Sequence, residues 1–433
     1  MLRKFVAICL FLWCARADAE GAAFAMTPEA SNNPHLARIL GNPAVPHGLG
    51  INVHPGEGLA AARDFELVQR LGLSLIRADF LWSEIERETG RYDWHRYDTI
   101  VSQSRAHGIT PLFILDYANP LYVTKGGEGS VGQPSPAPIS DAAQTAFGRF
   151  AAAAAARYRG LALWELWNEP NINFGQPIDL DAYIRFAGVV CKAMRHADPD
   201  AAIIGPASSE FAFSFLRDFI ASDRDHCFDA VSVHPYRDGD PETVLEDWER
   251  LRAMSPGFVL ANSEWGYSSI GGEWTLERQA EYVARLYLVD LLAGVPITMI
   301  YDARNDSLSG TDLQANFGLT NFWGRPKPAG QRLAALVSSL NKLELLGRVR
   351  SPKADFLLLF GAGNQKKIAA WTTRSADIHV TLDSRLCIAA VGSRSAGADV
   401  AKCDDTDQVL QIEPISLMLT GQPIVVTIRD RRP

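Results

Sequence analysis

Several kinds of chemistry are missing from this chain. Its six cysteines contain no Cys-x-x-Cys pair and its nine histidines no His-x-His, which removes the commonest short-range zinc-ligand spacings. A catalytic metal or other cofactor is therefore not expected. No cluster of five or more basic residues offsets the net charge of -8, so nucleic acid and anionic membrane are disfavoured as partners. No later stretch reaches about 18 uninterrupted apolar residues, the length a membrane span requires. Extended disorder is also not indicated, because hydrophobic residues make up 47% and charged residues 21% of the chain, both in the globular range. These absences leave an uncharged or weakly charged ligand as the best fit, bound by a soluble chain for which a monomer is expected.

The 433 residues have room for one large domain of roughly 250 to 300 residues and a smaller one of about 100. Residues 1–19 read as a cleavable export leader. Arg3 and Lys4 form its basic start, Phe5 to Cys14 its apolar core, and Ala17-Asp18-Ala19 its small-x-small site. Trp13 before Cys14 fits a lipid-attachment box poorly, so a secreted or periplasmic protein is expected. Beyond the leader lie Cys191, Cys227, Cys387 and Cys403, and export permits disulfides among them. Three pairings are open. Proximity within one β-rich region favours Cys387 with Cys403, and four free thiols remain the alternative. Residues 27–46, with Pro28, Pro34, Pro43 and Pro46, read as an arm laid against one of the two domains.

Eight short apolar or β-branched runs begin near residues 47, 74, 110, 162, 201, 230, 257 and 296, and each precedes a segment of helical spacing. The helical stripes run from Glu57 to Leu71, Trp94 to His107, Ser140 to Arg159, Asp179 to Ala197, Pro241 to Met254, Thr275 to Ala293 and Pro326 to Leu340, with a weaker one inside Glu210 to Ser222. Gly72, Gly108, Gly160 and Gly294 follow the last periodic residues, where a left-handed cap favours glycine. The fold class is thus α/β, a (β/α)8 TIM barrel over residues 47–340. Two long connections, Ala118 to Pro138 and Asp302 to Lys327, leave strands three and eight, and loops of that length usually serve function. From 341 to 433 the runs DFLLLF, KIAAWTT, DIHVTL, VLQIEP, ISLML and PIVVTIR indicate a small antiparallel, β-sandwich-like domain.

In such a barrel the carboxyl ends of the strands carry the working residues. Strand four ends at Trp167-Asn168-Glu169-Pro170 and strand seven at Asn262-Ser263-Glu264-Trp265-Gly266, so both glutamates should face one cleft. Two carboxylates across a sugar ring can hydrolyse a glycosidic bond, one as proton donor and the other as nucleophile or as base for water. The segments GINVH, IRADFLWSEIERETGRYDW, ILDYANPLY and NFGLTNFWGRPKPA, taken with the two glutamate motifs in order, resemble glycoside hydrolase family 39 of the retaining clan A. The similarity is greatest to its bacterial exopolysaccharide-hydrolase branch and covers about residues 45–340.

The resemblance implies Glu169 as acid/base and Glu264 as nucleophile in a double displacement. Glu169 is expected to stay protonated at rest through burial and a nearby carboxylate, and Glu264 to stay ionised beside Arg77. Asn168 is expected to hydrogen-bond the sugar and Tyr236 to donate to Glu264, with His234 lining the cleft. Glu165 is read as a structural acid deeper in the barrel, with Trp164 and Trp167 packed outward against helices. Rim aromatics Trp82, Tyr117, Tyr122, Trp265, Tyr301 and Trp323 are candidates for stacking on sugars. Asn52, His54, Asp116, Asn119, Asp302, Asn305 and Asp306 are candidates for holding hydroxyls. Ala303 stands where these enzymes often carry a bulky aromatic, so a subsite of altered shape is expected. The alternatives are a non-catalytic carbohydrate-binding barrel, a metal-dependent hydrolase and a transglycosylase.

Overall fold

The structure, a computed structural model, describes residues 33–41, 43–54, 59–123, 137–138, 140–173, 176–223, 226–389, 391, 403 and 407–430. The leader, the start of the arm and most of the connection after strand three lie outside the described residues.

Eight parallel strands close into a barrel: β1 (Leu49–Asn52), β2 (Leu75–Leu81), β3 (Thr110–Asp116), β4 (Leu163–Leu166), β5 (Ala202–Ser209), β6 (Ala230–His234), β7 (Val259–Trp265) and β8 (Ile297–Ile300). β1 pairs with both β2 and β8, which completes the ring. The helices between them cover Leu59–Leu71, His95–Ala106, Asp141–Arg157, Leu180–Ala197, Phe213–Ser222, Val244–Met254, Leu276–Ala293 and Pro328–Leu340. Their boundaries follow local chemistry. Ser140, Asp179 and Thr275 each accept a hydrogen bond from a first-turn amide, and the four expected stop glycines have φ between 68° and 73°. One short helix, Trp82–Ile85, was not expected from periodicity because a single turn carries too few residues to show one. Among the described residues no helix is long and apolar enough to cross a membrane.

The proline-rich segment is not simply a laid-on arm. Pro34–Leu40 is a helix, capped by the Asn33 side chain, which accepts from the amides of His35 and Leu36. Its Leu36 and Leu40 are fully buried among Leu75, Leu112, Leu163, Val259, Ile297 and Met299 at the amino ends of the strands. The helix closes the barrel floor. Proline at the first helical position favours this turn, and one Leu-to-Leu step of four residues is enough to seat it.

Beyond the barrel, the described residues form antiparallel sheets. β9 (Glu344–Val349), β10 (Asp355–Ala362), β11 (Gln365–Thr372), β13 (Arg385–Ala389), β14 (Gln408–Gln411) and β16 (Ile424–Ile428) make a six-stranded sheet in the order β14-β13-β9-β10-β11-β16. β12 (Ile378–Leu382) and β15 (Ile415–Leu419) form a separate ribbon. Leu357, Leu359, Ile368, Leu382, Leu386, Ile412, Leu417 and Leu419 share one core between sheet and ribbon. This unit is tied to the barrel by Trp371, whose indole nitrogen donates to Glu242 Oε1 at 2.6 Å. Disulfides join Cys191 to Cys227 and Cys387 to Cys403. The second is the pairing that proximity favours; the first spans the helix Leu180–Ala197 and the approach to β6.

Candidate active site

Arg77 organises the carboxyl end of the barrel. Alternation along β2 turns Ile76 and Ala78 one way and Arg77 the other, into the barrel. Its side chain is 2% exposed. Nε donates to Glu165 Oε2 at 2.7 Å, Nη1 to Glu264 Oε2 at 2.7 Å and to Asn52 Oδ1 at 2.9 Å, and Nη2 to Asn168 Oδ1 at 2.9 Å. One guanidinium thus joins β1, β4 and β7. A planar fork of five N–H donors suits this task, which a lysine could not perform.

Glu169 does not lie on β4 itself. The strand ends at Leu166, and Trp167 and Glu169 take left-handed backbone conformations, φ 66° and 46°. Such conformations cost of order 1–3 kcal/mol each and persist where surrounding bonds fix them. Here the Glu169 amide donates to Ala207 O at 3.0 Å, and the Glu169 carbonyl accepts from Ile172 and Asn173. The turn brings the Glu169 carboxylate to His234 at the end of β6, with Nδ1 to Oε1 3.0 Å. His234 Nε2 lies 3.3 Å from Arg77 Nη2. Since a guanidinium can only donate, Nε2 accepts and Nδ1 carries the proton given to Glu169.

Glu264 sits where the β7–β8 register shifts, between Asn262 and Trp265. Its Oε1 accepts from the Tyr236 hydroxyl at 2.9 Å, and its Oε2 from Arg77. Burial, then the charge of Glu264, holds the Tyr236 phenol well above its ordinary value, so it stays a donor. His234 Nδ1 is also 3.9 Å from Glu264 Oε2. The facing oxygens of the two glutamates are therefore no further apart than the sum of 3.0 and 3.9 Å. Both side chains remain partly open to the cleft, 13% and 15% exposed. Gly266, next along, lets β8 close in: a Cβ there would lie 1.8 Å from the Tyr301 carbonyl oxygen.

The free site departs from expectation in its protonation. Burial works to raise the Glu169 carboxyl, but hydrogen bonds from His234 and Ser209, with the charge of Arg77, outweigh it and hold the group below its ordinary value. The protein's own donors thus oppose the resting proton expected of Glu169. The donors on Glu169 come from His234 and Ser209, neither of which the sequence reading placed against it.

Several residues expected at the rim are buried. Trp82 has no exposed surface; it stacks on Tyr122 at 4.9 Å and donates to Glu86 Oε2 at 2.6 Å. Trp265 is likewise 0% exposed and Tyr117 2%. Neither offers a face to a sugar: Tyr117 stands edge-on to Trp167, ring centroids 5.7 Å apart, and Trp265 lies against Tyr267 at 5.9 Å. Asn119 donates to the backbone oxygens of Trp82 and Glu86 and so shapes the wall instead of binding hydroxyls. Asn305 is held by Asn316 and Lys327. Asn52 supports Arg77 from below, and buried His234 reaches the cleft only through Glu169. Trp323 alone of the six aromatics is largely free, at 69% exposure; Tyr301 is half-buried beside His54, with ring centroids 6.2 Å apart. Glu165 and Trp164 lie on the inward and outward faces where alternation places them, whereas Trp167, past the strand end, is turned outward against Phe147 and Phe186 by its left-handed backbone.

A second cluster flanks the pair. His54 Nδ1 is 3.9 Å from Asp79 and Nε2 3.8 Å from Asp302. Burial works to lower the imidazole, but Asp79, Asp302 and Asp306 carry it up to about 9. Asp116 is fully buried; burial, reinforced by the charge of Asp79, holds its carboxyl well above the usual range. Asp79 was missed, although it stands two residues beyond Arg77 on β2 and so on the same face. A cavity of about 520 Å³ opens beside this cluster, lined in part by Asn52, His54, Asp302, Arg304 and Trp323.

No family model matches the chain. Over 151 residues it is 27% identical to a beta-xylosidase of Geobacillus stearothermophilus, a match covering 29% of this chain and 30% of that protein. The match thus spans less than a third of the relative's length. Among solved structures, a family 39 glycoside hydrolase from Bacteroides cellulosilyticus superposes with a TM-score of 0.69 at 23% identity, over 89% of this chain and 81% of the other. A monomeric beta-xylosidase from Caulobacter crescentus superposes with a TM-score of 0.63 at 17% identity, over 88% and 96%. The chain is similar in fold to family 39 glycoside hydrolases across both the barrel and the β unit.

Proposed function

We propose that this chain is a retaining glycoside hydrolase, with Glu264 as nucleophile and Glu169 as acid/base. The observation that carries this reading is the contact of one imidazole with both carboxylates, which brings them together across a single cleft. The bound that 3.0 and 3.9 Å set on their facing oxygens leaves out most of the roughly 6.5–9.5 Å that an inverting pair keeps for a water molecule and admits the ~5–5.5 Å of a retaining pair.

In the first step a Glu264 oxygen attacks the anomeric carbon. The glycosidic bond breaks with its electron pair on the leaving oxygen, which takes the proton of Glu169. In the second, Glu169 removes a proton from water, the water oxygen bonds to the anomeric carbon, and Glu264 leaves as the carboxylate. Arg77 and Tyr236 face the nucleophile with donors, which favours the anionic form that attacks and departs. Because Asn168 Oδ1 is occupied by Arg77, its amide N–H groups are left to donate to the sugar. A glycan filling the cleft excludes water from Glu169 and raises its carboxyl, so substrate binding favours the protonated acid.

The substrate proposed is an extracellular polysaccharide. Exposed Trp323, Phe322, Ile172 and Leu121 stand on loops after β8, β4 and β3, and offer apolar faces beyond the scissile bond. The leader in residues 1–19 and the two disulfides support an exported protein, since such bonds persist in oxidising compartments.

The test is chemical. Glu169→Ala should slow cleavage of natural glycans severely and spare aryl glycosides with good leaving groups. An activated 2-fluoro sugar should label Glu264, as read by peptide mass spectrometry. Labelling of another residue, or equal loss on both substrate types, would refute the assignment.

A further inference from the structure

We propose a divalent-cation site of the zinc type where the end of β1 meets the loop after β8, with His54, Asp302 and Asp306 as ligands. One ligand atom from each residue lies within 4.8 Å of the other two, and His54 Nε2 is 3.8 Å from Asp302 Oδ2. Ligands bound at about 2.0–2.2 Å from one ion lie at most about 4.4 Å apart. A small inward turn of His54 and Asp306, both exposed, closes that difference.

A second observation points to the same place. Asp302 is 2% exposed, and its Oδ1 has no hydrogen-bond partner among the described residues. A buried carboxylate without a donor is disfavoured unless something else satisfies it, and a cation between Asp302 and its two neighbours does so. Asp79 lies on the Nδ1 side of the ring, 3.9 Å away, which leaves Nε2 towards Asp302; a small shift would close the Asp79 contact into the hydrogen bond that orients a metal-binding imidazole.

One imidazole and two carboxylates suit zinc, and zinc's usual stand-in cobalt, better than calcium or magnesium, which prefer more numerous, all-oxygen ligands. Three protein ligands leave a fourth position, and the adjoining cavity of about 520 Å³ gives water or a sugar hydroxyl access to it. The ion would clasp β1 to the loop that carries Trp323. No spacing in the sequence displays this set, because its ligands follow the first and last strands of the barrel, far apart along the chain, and meet only where β1 pairs with β8.

The inference is read on substrate-free protein, so it stands or falls apart from the glycosidase reading. Chelator-dialysed full-length protein would be titrated calorimetrically with Zn²⁺ and, separately, Ca²⁺. The expected result is one saturable Zn²⁺ site per chain, weakened about 10-fold or more by Asp306→Asn and by His54→Gln, with no comparable Ca²⁺ binding. Co²⁺ should give visible d–d bands that both variants lose, and melting curves without metal check that the variants fold. Absence of saturable Zn²⁺ binding to the wild type, or binding undiminished in both variants, would overturn the proposal.

Discussion

Arg77 donates to Glu165 and Glu264 through separate nitrogens, each at 2.7 Å, so one buried cation serves a structural acid and a proposed catalytic one. The two roles can be separated. Arg77→Met should lower stability by about 3–5 kcal/mol, because Glu165 is left as an uncompensated buried charge. Adding Glu165→Leu should recover most of that stability, read by urea denaturation, and recover none of the activity, because Glu264 still lacks its cation. Recovery of turnover in the double variant would contradict the role given to Arg77.

The Tyr236–Glu264 hydrogen bond should be visible in kinetics. A hydrogen bond to a charged group contributes about 1.5–3 kcal/mol. Tyr236→Phe should therefore reduce kcat/KM by about 10- to 150-fold while the melting temperature moves little.

His234 holds the Glu169 carboxyl down, so removing its N–H should let that carboxyl rise. In His234→Phe the basic limb of the kcat/KM–pH profile, which reports the acid in the free enzyme, should move to higher pH. A limb that stays in place or moves down would detach His234 from the acid.

Glu242 joins the barrel to the β unit, accepting from Arg285 Nε at 2.8 Å and from Trp371 Nε1 at 2.6 Å. Glu242→Ala strands the Arg285 guanidinium and should destabilise by about 3 kcal/mol, the lower end for a broken buried pair, since Asp240 remains 3.2 Å away. Trp371→Phe removes one neutral donor and should cost only about 1 kcal/mol. Denaturant midpoints of the two variants test the ranking.

Asp290 makes stability depend on pH. It is fully buried, and burial carries its carboxyl from 3.8 up to about 7, against the donors Asn262, Trp248 and Thr298. A raised folded value means that the protonated group stabilises the fold. Its contribution is complete below about pH 4 and declines as pH rises through 7, by about 4 kcal/mol at most. The stability difference between wild type and Asp290→Asn should shrink over that window. A difference that grows with pH would reverse the assignment.

The sequence by itself determined the eightfold alternation, the strand ends at which Glu169 and Glu264 stand, and the inward face shared by Arg77 and Asp79. These follow from periodicities of 2 and 3.6 and from capping residues, which act over a few positions and are written locally. The tertiary structure alone decided who meets whom across the barrel. It placed His234 against Glu169, gave Arg77 five partners from four other strands and the turn after one of them, buried Trp82 and Trp265, and seated the helix Pro34–Leu40 in the floor. Those contacts depend on ring closure and on where each side chain finds space once the strands have tilted together, and neither leaves a trace in local spacing. For the same reason His54, Asp302 and Asp306 look unrelated along the chain and become neighbours only when β1 pairs with β8.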